Sequence, residues 1–382
     1  LQLLVEMLQR VHRMLSATDQ ARYEEAFAPY LKGSSGQYIY HIRGGETRSH
    51  MQQIGELMQR LLAELQPTYA EHATYQMLQR VFAEQFDLVE AEVQAKRGQD
   101  IRPDRLRSPD DPDATYRRKG QREYEGYVSN VAETCDASNP FQLIVKVQTA
   151  PNNVEDSTLL VEALPELKAR TDVETLYNDA GFCSEQADEA LAKEQVTQVP
   201  TDLRGKAPNP DKYNLADFEL HTDAGGQPQQ ITCPHGQTVA VQDSPKSKNH
   251  VAYFAASICD HCPSQAKCPT RLRKRDGRRS LCFGRKQMNV AQRRRRCAAY
   301  HREGKNPRAA VEATVGALKR PWANDQLPVR GLFRMSMLLL CSAVMVNIRR
   351  IVRYEAAKRA PEPPATLTVV VQDTEKAHES SF

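Results

Sequence analysis

Residues 174–186 read ETLYNDAGFCSEQ, a short β-prone run that halts on Asp179 and enters a small-residue turn. On its N-terminal side, VEDSTLLVEALPELKAR (154–170) predicts a helix with Asp156 and Ser157 as cap candidates. On its C-terminal side come a predicted helix at 184–194 and another short strand in EQVTQVPTDL. Upstream, YEGYVSNVAETC (124–135) and FQLIVKVQTA (141–150) alternate as strands do, across the turn-forming DASNP. The order strand–strand–helix–strand–helix–strand predicts a mixed α/β layer. An acid on the lip of a strand has two local readings. It caps the helix that follows, or it holds a metal ion over a substrate, and the local residues leave both open.

Working outward, the chain divides into five segments. Residues 1–100 read as all-helical: LQLLVEMLQRVHRMLS (1–16) repeats apolar residues at helical spacing, and helices are expected near 19–32, 48–65 and 69–96. Residues 101–205 hold the α/β layer, entered through a polar connector at 97–123. Residues 206–300 form a Cys-rich, basic insertion, and 301–355 supply two closing helices at roughly 307–319 and 332–355. The tail, 356–382, has the composition of a disordered segment.

A net charge of +4 over 382 residues is unremarkable, but its distribution is not. From Arg271 to Arg308 a basic block is broken only by Asp276 and Glu303, and it is densest at Arg293, Arg294, Arg295 and Arg296. A solvated face is the ordinary reading of such a block; a polyanion partner is the functional one. Nine cysteines with no secretory leader argue against a disulfide framework and for a reducing cytosol. The best apolar run, MSMLLLCSAVMV (335–346), falls short of the ~18 residues a membrane span needs.

The cysteines cluster. CPHG supplies Cys233, and CDHCPSQAKC supplies Cys259, Cys262 and Cys268. Four thiolates suit a closed, structural Zn2+ site, with His235, His261 or Cys282 as substitutes for one member. Scattered reduced thiols are the alternative.

In NPRAAVEATVGALKR (306–320), Arg308, Glu312 and Lys319 fall within about 40° of one another at ~100° per residue, beside an apolar stripe of Val311, Val315 and Leu318. Locally this is an Arg308–Glu312 pair, worth about 0.3–0.5 kcal/mol. Set against Asp179 far upstream, it also suits two-metal phosphoryl transfer, in which carboxylates hold divalent ions that serve the attacking and leaving oxygens.

Taken in order, DPDATYRRKG with GYVSNVAETC, LIVKVQTAPNNVEDSTLL, YNDAGFCSEQ, RAAVEATVGALK and LPVRGLFRMSMLLLCSAVMVNIRRI resemble the DDE transposases of bacterial insertion sequences, in their Cys-containing branch. The likeness covers roughly residues 105–355 and includes an arginine, three residues, glutamate, six residues, lysine signature and the late Asn347. It implies a ribonuclease-H-like mixed sheet with flanking helices, and Mg2+- or Mn2+-dependent cleavage and joining of DNA at transposon ends. It also implies target DNA, a homodimer on DNA, no membrane partner, and a cytoplasmic, nucleoid-associated location. Asp179 would be the second acid, Glu312 the third, and Arg308 and Lys319 the flanking cations. Two positions depart from the pattern. Lys305 replaces a tyrosine, and no strand in residues 1–100 offers the first acid. Asp110, Asp111 and Asp113 are the in-chain candidates, with Asp113 preferred, while Asp156 reads as a cap. The start on Leu1 leads us to expect that the first strand lies upstream, in a truncated transposase. Weak Mg2+ binding and little strand transfer would follow. A non-catalytic DNA-binding remnant, using the zinc module and the basic block, is the alternative.

Overall fold

The computed structural model describes residues 1–359 except Lys206, Ala224, 245–246, 304–306, Pro321 and 323–326, and leaves aside the side chains of Lys119, Glu303 and Arg308. Its first part is a helical bundle. Helix Gln2–Met14 places Leu4, Val5, Met7, Leu8 and Val11 on one buried face, as their spacing requires. That face packs with Phe27, with Ile54, Met58 and Leu61 of helix Thr47–Tyr69, and with Leu78 and Val81 of helix Ala73–Gln85. Ser16 caps the short helix Ala17–Arg22, its side chain accepting from Asp19 N.

The segment is not all-helical. The helix expected at 69–96 ends at Gln85, and strands Phe86–Val89 and Glu92–Ala95 follow as an antiparallel hairpin. Glu90 and Ala91 turn it with φ of 52° and 70°. Leu, Glu, Ala and Gln favour a helix here, but long-range packing overrides that preference. Phe86 and Val93 lie against helix Thr47–Tyr69 at Gly55, where an added Cβ would come within 2.9 Å of both. Only glycine permits so close an approach.

Three antiparallel strands follow, Thr115–Lys119, Arg122–Glu133 and Ile144–Pro151, with the long strand in the middle. Tyr127 faces Pro151 and Val131 faces Val147. The expected hairpin is present, and its extra strand, 115–119, lies inside what the composition marks as a connector. Helix Asp156–Thr171 leads to strand Thr175–Asn178, helix Glu185–Lys193 and strand Thr197–Pro200. The two short strands pair in parallel, Tyr177 opposite Val199.

The mixed layer is therefore two sheets. Residues 127–133 pair only with Ile144–Pro151, and Thr175–Asn178 only with Thr197–Pro200, among the described residues. Helix Pro307–Lys319 comes within 8 Å, Cα to Cα, of both the long strand and Thr175–Asn178. It lies beside two strands that no ladder joins among the described residues.

The last helix, Leu332–Arg359, lies on strand Ile144–Pro151. Its Leu339, Ala343 and Val346 are buried, and Ala343 and Val346 pack with Ile144 and Leu318. Asn347 makes both hydrogen bonds of the Ile144 peptide, each 2.9 Å. Contrary to the reading of the 335–346 run, this helix is long and apolar enough to cross a membrane by length and composition, with a mean hydropathy of 1.6 over its best window. The tail beyond Arg359, most of the segment expected to be disordered, lies outside the described residues.

Between these parts, strands Glu219–Thr222, Pro228–Thr232, Thr238–Asp243, His250–Phe254, Arg271–Leu272 and Arg279–Phe283 make a six-stranded antiparallel sheet. The sequence reading marks this stretch only as loop and Cys-bearing insertion. Phe218, Ile231, Ala252, Phe254, Leu281 and Phe283 form its core with Met288 of helix Arg285–Glu303.

Candidate active site and basic surfaces

Asp179 ends its strand and starts a one-turn 3-10 helix at 180–182, accepting from Gly181 N at 2.6 Å. It is not the cap of the helix that follows. Ser184 fills that role, its Oγ accepting from Ala187 N at 3.1 Å. Asp156 is not a side-chain cap either. Glu155 occupies the N-cap position without a side-chain hydrogen bond, and Asp156 is the first helical residue.

These displaced assignments meet at one point. A Cβ built on Gly181 would lie 2.6 Å from Asp179 Oδ1, 3.0 Å from Asp156 Oδ2 and 3.0 Å from Arg204 Nη2. Two carboxylates and a guanidinium thus converge over a glycine, in space that any side chain would fill. Arg204 does not stand out locally, and Asp156 does so only as a helix-cap candidate. The further signal is the glycine two residues beyond an acid at a strand end.

Glu312 lies on helix Pro307–Lys319, which runs beside the strand leading to Asp179. Thr314 and Leu318 are buried, whereas Glu312 and Lys319 are exposed. Thr314 Oγ1 donates to Glu133, and Arg350 holds the same carboxylate at 2.9 Å. The helix is therefore fixed through its buried edge, with Glu312 outside it. The side chain of Arg308 and Lys305 lie outside the described residues.

The three acids ahead of the long strand serve separate ends. Asp110 pairs with Arg10 at 2.5 Å and with Arg330 at 3.4 Å. The Arg10 hydrogen bond holds its carboxyl below the usual range. Asp111 is buried and accepts from the Tyr127 hydroxyl. Asp113 is exposed beside Tyr127, whose pKa is pushed up by burial first and then by Asp111. Among the described residues, no three His, Cys, Asp or Glu side chains gather into a metal-binding group.

The arginine run expected to face DNA is turned inward. Arg293 pairs with Asp188 at 3.5 Å, their side chains 13% and 15% exposed. Burial pushes the Asp188 carboxyl up, against the pull of Arg293. Arg294 donates to Asn214 Oδ1 at 3.3 Å, and Arg296 to Gln198 O at 3.2 Å. Arg295 donates to the carbonyls of Ala216 at 2.9 Å and Leu215 at 3.3 Å, and to that of Phe218. Burial lowers the pKa of both Arg295 and Arg296. A helix so rich in arginine suggests a solvated face by composition, yet these side chains tie helix Arg285–Glu303 to helix Glu185–Lys193, to strand Thr197–Pro200 and to the turn at 214–218.

Cys233, Cys259, Cys262 and Cys268 line one cavity, together with His235 and Tyr213. The Cys233–Gln237 turn is closed by Cys233 N donating to Gln237 O at 2.9 Å, and Gln237 N donates back to Cys233 Sγ at 3.3 Å. Gly236, with φ of 87°, makes that turn possible. Burial pushes the Cys259 thiol up, and the other three thiols add to the shift. Cys282 is exposed.

Residues 232–352 match a family model described as a transposase DDE domain. No curated protein and no solved structure matches the chain. The matched stretch includes Glu312, the arginine run and Cys233, Cys259, Cys262 and Cys268, and stops short of Asp179. It supports a DDE transposase, with DNA as substrate and transposition-related cleavage and transfer as the associated chemistry.

Proposed function

We propose that the protein is a transposase of the bacterial insertion-sequence type, whose site is built on Asp179 and Glu312 within a ribonuclease-H-like frame. The observation that carries this reading is the approach of helix Pro307–Lys319 to the strand that ends at Asp179. Asp156 adds a carboxylate on the Gly181 side, and Arg204 brings a cation beside it. Hard oxygen donors of this kind suit Mg2+ or Mn2+; Asp179 and Asp156 would hold the ion with Glu312 drawn in, since no three acids already gather there among the described residues. Such ions, when bound, polarise a phosphodiester and make water or a 3′-hydroxyl a stronger nucleophile. The chain's own part is to bind and orient. Arg204 and Lys319 attract the backbone phosphates, and the Asp179–Gly181 hydrogen bond fixes the carboxylate's direction. The protein would act on transposon ends and target DNA in a reducing cytosol, on the nucleoid and as a homodimer.

We propose zinc for the four thiols of the Cys cavity, as a structural ion with no open ligand position; among the described residues no three of them yet form a metal-binding group, so the thiols would draw together around the ion. Their shared cavity and the N–H···S contact at Cys233 support that assignment.

The test uses the full chain, Mg2+ or Mn2+, and a labelled duplex carrying a transposon end. Metal-dependent nicking or joining that disappears in Asp179→Ala and in Glu312→Ala is the expected result. Activity that survives both substitutions would overturn the assignment. A second reading is a non-catalytic DNA-binding protein, favoured by the absence of a three-acid metal group among the described residues. It predicts duplex retention without cleavage, unchanged in both variants.

A further inference from the structure

One edge of the six-stranded sheet carries more positive charge than its fold uses. Strands Arg271–Leu272 and Arg279–Phe283 form a hairpin, with Arg271 facing Ser280 and Leu272 facing Arg279. Arg273 N donates to Arg278 O at 2.9 Å and Gly277 N to Arg273 O at 3.0 Å, closing the turn. Gly277 has φ of 65°, a conformation costly for other residues. Residues 271–279 hold six cations, Arg271, Arg273, Lys274, Arg275, Arg278 and Arg279, against the single acid Asp276.

Arg279 pairs with Asp260 at 3.2 Å, and the other five cations are of two kinds. Arg273 and Arg278 both stack on the Tyr253 ring of the adjacent strand, each 4.6 Å from its centroid. Asp276 pairs with them at 3.1 and 3.0 Å. Guanidiniums held in this way lose little freedom when a ligand arrives. Arg271, Lys274 and Arg275 are exposed and make no ion pair among the described residues. Leu272 lies open between them, 57% exposed.

Charge on an edge strand also keeps sheets from pairing with one another. Asp276 and Asp260 offset only part of the charge of six cations on a braced ribbon, and a polyanion would offset the rest. Duplex DNA presents a charge every ~1.7 Å of axis, and its major groove, about 12 Å wide, admits a two-stranded ribbon. We propose that the hairpin at 271–279 is the surface that grips duplex DNA, through phosphates, and that the arginines at 293–296 take no part. The proposal rests on the DNA-handling reading above.

The experiment measures full-chain binding to a 30-base-pair duplex across salt concentrations. Lys274→Ala/Arg275→Ala should lower the log–log salt slope by about 2 and weaken binding at 0.1 M salt on the order of 50-fold. Tyr253→Leu keeps every charge, so it should leave the slope unchanged while weakening binding roughly 3- to 10-fold. Arg294→Ala, folded by circular dichroism, should leave the slope unchanged. An unaltered slope in the double variant would overturn the proposal, as would binding to vesicles of 30% phosphatidylserine with none to the duplex. Failure of nicking with the slope change intact would sink the catalytic reading alone.

Discussion

Arg350 donates to Glu133 at 2.9 Å, and the Glu133 side chain is only 2% exposed. Arg350 comes from the last helix, Glu133 from the end of the long strand, and Thr314 of the Glu312 helix joins both. One buried carboxylate thus fixes three elements. Removing one member strands a charge in a dry setting, which costs more than the pair contributes. Arg350→Met should therefore destabilise the fold by about 3 kcal/mol, read as a lower urea midpoint. The double variant Glu133→Met/Arg350→Met should recover much of that loss.

Arg295 spans three carbonyls at 215–218. Arg295→Ala should cost about 2–3 kcal/mol, because charge-assisted hydrogen bonds are lost and buried acceptors are left open. The measurement is chemical denaturation beside duplex binding at low salt. Stability should fall while the folded fraction binds as before.

Gly181 should tolerate no side chain. Gly181→Ala sets a methyl 2.6 Å from Asp179 Oδ1, so the carboxylate must move. Overpacking of this kind costs about 1–3 kcal/mol. If Asp179 serves the reaction, nicking should fall by more than the change in folded fraction, with duplex affinity retained.

The Arg10–Asp110–Arg330 cluster ties the helical bundle to the segment before the last helix. Because the folded carboxyl of Asp110 is depressed, its contribution is present above the unfolded value near 3.9 and is lost as pH falls through the folded pKa. The groups are partly exposed, so the effect is under about 1 kcal/mol. Asp110→Asn should be slightly less stable at pH 7, and the gap should close as pH falls through the folded pKa of Asp110.

If the Cys cavity holds zinc, protein prepared without chelator should contain about one ion per chain. Cys262→Ser should lose it and lower the stability of the sheet at 219–283, leaving nicking at Asp179 intact in the folded fraction. A folded wild-type sample free of zinc would sink the assignment.

Much of the layer order was legible in the sequence. Apolar spacing marks helix Gln2–Met14, alternation marks the 124–150 hairpin, and ETLYN marks a strand ending at an acid. What escaped depended on distant residues. Residues 86–95 have helical propensity, and only the close approach at Gly55 makes them strands. The strands between 219 and 283 are two to six residues long, interrupted by turns, and so lack a periodic signature. Composition reports that residues 293–296 are charged, but not that carbonyls at 215–218 await one of them. Asp156 lies in a helix-start pattern, and its neighbour across space is 23 positions away.

The parallel pair Thr175–Asn178 and Thr197–Pro200 has a consequence for motion. Two short parallel strands with no third neighbour among the described residues are a weak cooperative unit. Their amide protons should exchange with solvent sooner than those of Ile144–Pro151, through partial opening that spares the rest of the protein. Asp179 hangs from the end of that unit, so the carboxylate breathes with it, and whatever clamps the two strands also steadies the acid.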